Sequence, residues 1–96
     1  MAVGDIVSGL QSIVAGNYLD IQPAGTEQWI IHNIYHESDV TLVWYDGISS
    51  INFHTSIGPG ILARFTFHLN NAIWLRVLNP GIGPQLIGFD GVVSRM

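Results

Sequence analysis

The chain has 96 residues, of which three are basic, all arginine, and seven are acidic, giving a formal net charge of −4. Only 10% of its residues are charged, against about 25% in an ordinary soluble domain, while 48% are hydrophobic. So apolar a chain can offset its conformational entropy by burial, which argues against disorder, and Arg64, Arg76 and Arg95 are too few and too dispersed to neutralise nucleic-acid phosphates.

The length fits one domain. There is no cysteine, hence no disulfide, thiolate metal site or cysteine nucleophile. No stretch reaches the roughly 18 apolar residues that span a bilayer, so no membrane partner is expected. The start at Met1 shows neither the basic region nor the continuous apolar core of a signal peptide. Interspersed charges normally keep protein surfaces apart. A surface this poor in charge is expected to be covered by other subunits.

Residues 1–16 read as an N-terminal arm and first strand, and residues 17–96 as a β-sandwich domain. Val3, Ile6, Val7, Leu10, Ile13 and Val14 have helical spacing, but Gly4 and Gly9 would each cost about 1 kcal/mol inside a helix. The expectation is therefore an extended arm or first strand over about Gly9–Val14, with a turn at Ala15-Gly16. Glu27 to His36 is the first long strand. Strict alternation places Trp29, Ile31 and Tyr35 on one face and Ile30, His32, Ile34 and His36 on the other. Asp39 to Asp46 follows, with Val40, Leu42 and Trp44 opposed to Thr41, Val43 and Tyr45. Further strands are expected over Ser49–Thr55, Leu62–Leu69, Ile73–Asn79 and Gln85–Val92. In Leu62–Leu69, Arg64, Thr66 and His68 alternate with Ala63, Phe65 and Phe67. Asp46-Gly47 is a strong hairpin signal. Asn70-Asn71 is a weaker one, and Ser38-Asp39 is expected to turn the chain between the first two long strands. Seven or eight antiparallel strands at this spacing predict an all-β chain folded as a single β-sandwich.

Little in the sequence carries chemistry. His32 and His36 lie about 13 Å apart along a strand, too far for one metal ion, and His54 and His68 fall on separate strands, so no metal or cofactor is expected. The carboxylates are scattered, and Asp46 and Asp90 precede glycines in turn-like contexts. No serine sits in a nucleophile-elbow context. The chain is expected not to be an enzyme. The large aromatics Trp29, Tyr35, Trp44, Tyr45 and Trp74 are expected in core or subunit contacts, with a sugar-stacking platform as the alternative. Protonating His32, His36, His54 and His68 would bring the formal charge from −4 to zero, so solubility or assembly is expected to respond to pH near the ordinary histidine range.

The stretch Ile21-Gln-Pro-Ala-Gly-Thr-Glu-Gln-Trp-Ile-Ile-His-Asn-Ile-Tyr35 resembles a strand–turn–strand motif of small structural proteins of tailed bacteriophages. The Tyr45-Asp46-Gly47 turn, Leu78-Asn79-Pro80-Gly81 and Gly88-Phe89-Asp90-Gly91 are similar to that group as well. The resemblance runs from about Gly9 to Val93. It implies a jelly-roll-like sandwich that assembles as trimers or higher oligomers on a capsid, tail or fibre, with no catalytic residues. One departure is that three consecutive tight hairpins suit a meander better than a strict jelly roll, which leaves the topology open among jelly-roll-like, meander and Greek-key forms. The expected function is that of a virion structural protein, a capsid decoration (cement) or accessory subunit made in the host cytoplasm. Its partners would be further copies of itself, as a homotrimer, and a major capsid or other virion protein. The candidate contact residues are Val3, Ile6, Val7, Leu10, Trp29, Tyr35, Trp44, Tyr45 and Trp74, and the apolar arm from Val3 to Val14 is the segment expected to reach a neighbour. The alternative is a carbohydrate-binding, host-recognition module at a fibre tip.

Overall fold

A computed structural model describes residues 2–63 and 66–96. Among them are nine strands and no helix: β1 (Ile6–Ile13), β2 (Tyr18–Ile21), β3 (Gln28–His36), β4 (Val40–Tyr45), β5 (Ser50–Ser56), β6 (Gly60–Leu62), β7 (Phe67–Asn70), β8 (Trp74–Leu78) and β9 (Gln85–Arg95). They form two antiparallel sheets. Sheet A runs β1-β9-β3-β6, with β7 also paired to β3, and sheet B runs β2-β8-β4-β5. β6 and β7 pair with opposite halves of β3, so together they occupy the position of one interrupted edge strand. Counted that way, the order is the eight-stranded, two-sheet jelly roll.

This corrects the expectation of three consecutive hairpins. Asp46-Gly47 does join two neighbours of one sheet, β4 and β5. Ser38-Asp39 instead carries the chain from β3 in sheet A to β4 in sheet B, and Asn70-Asn71 carries it from β7 in sheet A to β8 in sheet B. The expected continuous strand over Leu62–Leu69 is divided into β6 and β7, and Arg64 and Phe65 lie outside the described residues.

The first strand expected within residues 1–16 forms, and it takes into the sandwich most of the segment expected to reach a neighbour. All eight residues of β1 pair with β9, from Ile6 opposite Val92 to Ile13 opposite Gln85, and Gly4 and Asp5 add backbone bonds to Val93. Val7 is therefore a core residue. The core lies between the sheets and includes Ile21, Ile31, Ile34, Leu42, Leu75, Val77 and Ile87, all fully buried.

β4 keeps the alternation its sequence predicts, with Val40 and Leu42 buried and Trp44 packed against the core. β3 does not. Its register against β9 shifts between Ile31 and Asn33, and the extra residue of this bulge changes the parity of the strand. Trp29, Ile31, Ile34 and His36 consequently face inward, and Tyr35 turns outward with Ile30. Gly91 lies opposite Ile31 at the bulge, where a Cβ would come within 2.9 Å of the Ile31 Cα. Only glycine lets the two backbones approach this closely.

The β4–β5 turn is held by one side chain. Asp46 Oδ1 accepts from the backbone N–H groups of Ile48 (2.9 Å) and Ser49 (2.6 Å), and the same two bonds hold the Asp46 carboxyl below its ordinary value of 3.8. A carboxylate with a depressed pKa stabilises the fold above the unfolded value and loses that contribution as pH falls through the folded value. Asp46→Asn, which keeps the acceptor oxygen, is expected to melt closer to the parent than Asp46→Ala at neutral pH. The gap between parent and Asp46→Ala should shrink in thermal scans as the pH is lowered through the carboxylate range. A gap that stays constant down to the acid limit would contradict this account of the turn.

Candidate functional site

Two apolar, nearly uncharged surfaces stand out. The first lies along β5. From Gly47 to Ala63 the sequence has no formal charge, and β5 is the outer strand of sheet B. A long outer strand without lysine, proline or inward charge is normally avoided because it invites pairing with another chain. Here Ile48, Ile51, Phe53 and Ile57 are all exposed, Ile48 almost completely at 94%. Among the described residues, an apolar groove of about 430 Å³ lies between β5 and β7, lined by Trp44, Ile51, Phe53, Thr66, Phe67 and His68. Phe53 and Phe67 meet across it with ring centroids 6.0 Å apart.

The second surface is the outer face of sheet A. The register aligns side chains in rows across its strands. Ile6, Val92, Ile30 and His68 make one row, and Leu10, Gly88, Tyr35 and Ile61 make another. Ile6 and Leu10 project from it, 76% and 70% exposed. Between the rows lies Asp90, whose two carboxylate oxygens are both occupied: Asn33 Nδ2 donates to Oδ1 at 2.7 Å and the Tyr35 hydroxyl donates to Oδ2 at 2.5 Å. The bond to Asp90 keeps the proton on the Tyr35 phenol and raises its pKa. The carboxylate is thus engaged by neutral donors within the face.

The candidate residues divide accordingly. Ile6, Leu10 and Tyr35 belong to the sheet A face and Trp44 to the groove, while Val3 is exposed ahead of β1. Trp29 is half-buried, stacked on Phe89 at 6.5 Å with its indole N–H donated to Glu27. Tyr45 and Trp74 pair edge to face at 5.2 Å on the outer face of sheet B. The five large aromatics therefore form no common platform. Among the histidines, His68 lines the groove, His32 is exposed at the bulge, His54 is half-buried on β5, and His36 is buried, with Nδ1 2.8 Å from the Ser38 carbonyl. Among the described residues no cluster of His, Asp or Glu is arranged to hold a metal ion. Ile48, Ile51, Phe53 and Ile57 were not singled out from the sequence. Their signal was the uncharged run from Gly47 to Ala63, but their exposure depends on β5 lying at an edge.

No protein-family model matches this chain, and no curated protein sequence matches it.

Proposed function

We propose that this chain is a structural subunit of a virus particle, of the capsid-decoration kind, that acts by assembling with itself and binding a capsid protein. The observation that carries this reading is the pair of apolar surfaces with almost no charge. Ile51 and Phe53 line the groove, and Ile48 and Ile57 stand exposed at either end of β5, an apolar exposure of the kind that marks protein contact sites. The occupant we assign to the β5 groove is a second copy of the same chain. The groove is concave, and the sheet A face presents projecting Ile6 and Leu10, so the two surfaces complement each other rather than themselves. A contact between unlike surfaces is heterologous: it closes into a ring where the rotation between neighbours closes and otherwise runs on as a filament. We assign the closed form as a trimer, in line with the assembly that the motif between Ile21 and Tyr35 implies.

The virion assignment draws further support from the motif between Ile21 and Tyr35 and from the jelly-roll strand order, an architecture that viral capsid domains use. Its test is direct. Particles purified from an infected host should carry this chain in fixed proportion to the major capsid protein, with density at defined symmetry positions in a reconstruction. Particles free of the chain, while it accumulates in the host cell, would refute the assignment.

A further inference from the structure

The outer face of sheet B carries a different kind of surface. Arg76, on β8, lies between two tyrosine rings, its Cζ 4.1 Å from the centroid of Tyr18 and 4.5 Å from that of Tyr45. Its Nε donates to Asp20 Oδ1 at 2.6 Å. Three neighbours thus fix the plane and position of the guanidinium. Its Nη atoms, however, have no hydrogen-bond partner among the described residues. Arg76 also lines a cavity of about 360 Å³ at the β1–β2 end of the sandwich, together with Gln11, Ser12, Asn17 and Tyr18. The side-chain polar groups of those four residues likewise bond to no other described residue.

We infer that this cavity is a binding site for a carboxylate-bearing sugar, with Arg76 receiving the carboxylate and Gln11, Ser12, Asn17 and Tyr18 meeting the ring hydroxyls. The fork of N–H donors on a guanidinium matches a carboxylate in plane. Clamping by two rings and Asp20 removes the rotamer freedom that a surface arginine would otherwise lose on binding. Four neutral donor and acceptor side chains around one cation suit a ligand with one acid group and several hydroxyls. An acidic peptide side chain, which offers a carboxylate on an alkyl stem, would leave most of them unmatched. Asp20 offsets the charge of Arg76, so recognition depends on hydrogen-bond geometry, and a single sugar should bind in the millimolar range. The inference does not rest on the assembly reading: Arg76, Gln11, Ser12, Asn17 and Tyr18 are not among the residues that reading uses, although Gln11 and Ser12 follow Leu10 on β1.

The test is titration of the isotope-labelled full chain with glucuronate and with N-acetylneuraminate, followed by NMR. Either or both acids should shift the Arg76 Nε–H and the Gln11 and Asn17 side-chain amide signals in a saturable way, whereas glucose and acetate should not. Arg76→Lys keeps the charge but loses the fork, and it should weaken binding at least tenfold with the remaining spectrum unchanged. Should that variant fail to fold, Asn17→Ala on an intact Arg76 should still weaken binding several-fold. Absence of saturable shifts with both acids would overturn the inference. So would equal shifts with acetate or with a glutamate-containing peptide.

Discussion

Asn79→Leu is expected to destabilise the protein by about 4 kcal/mol, among the largest losses any single side chain here can produce. Asn79 is buried at the end of β8, and every hydrogen-bonding position of its amide is used. Nδ2 donates to the carbonyls of Ile13 (2.8 Å) and Gly83 (2.9 Å). Oδ1 accepts from the Gly81 N–H and from Gln85 Nε2, both at 3.1 Å. Gln85 carries the network onward, donating to the Asp39 carbonyl at 2.7 Å and accepting from the Ser38 N–H at 3.0 Å. One amide thus ties the β1–β2, β3–β4 and β8–β9 connections together at one end of the sandwich. Leucine matches its size but takes the side-chain donor from the Ile13 and Gly83 carbonyls, the acceptor from the Gly81 N–H and one of the two acceptors from Gln85 Nε2, which costs more than an apolar contact returns. Urea denaturation of the purified variant measures the loss. A midpoint close to that of the parent would show that the network does not hold the loops.

Phe53→Asp and Leu10→Lys are each expected to break the assembly while leaving the sandwich folded. Leu10 projects from the sheet A face at 70% exposure, and Phe53, which lines the groove against Phe67, is 43% exposed. Leu10→Lys should therefore cost little in the isolated fold, and Phe53→Asp only the contact of one ring with Phe67. Within a contact, each would bury an unpaired charge, at a cost of several kcal/mol. Mixing the two variants gives a sharper result. A Phe53→Asp chain retains its sheet A face and a Leu10→Lys chain retains its groove, so one sound contact can form between them. The mixture should contain a heterodimer that neither variant forms alone. If the two surfaces did not meet each other, mixing would produce nothing new.

Much of the fold was legible because strand chemistry is local. Val40, Leu42 and Trp44 alternate with Thr41, Val43 and Tyr45, and β4 forms with that facing. The face assignment of Tyr35 failed for a reason that no alternation pattern contains: the bulge between Ile31 and Asn33 depends on the approach of Gly91 from β9, a partner more than fifty residues away. The sequence leaves the topology open, and two of the expected hairpins failed similarly. Ser38-Asp39 and Asn70-Asn71 have turn chemistry, but a tight turn can fold a strand back within its sheet or carry it to the other layer, and packing decides which. β2 was not assigned as a separate strand because its four residues, Tyr18–Ile21, are too few to show a period. The shortage of charge was visible at once. Its distribution into a groove beside β5 and a face on sheet A needed the strand order.

Sedimentation equilibrium of the untagged chain at micromolar concentration tests the central claim most directly. The account predicts a closed species with three times the mass of one chain, converted to monomer by Phe53→Asp. A homogeneous monomer at that concentration would contradict it.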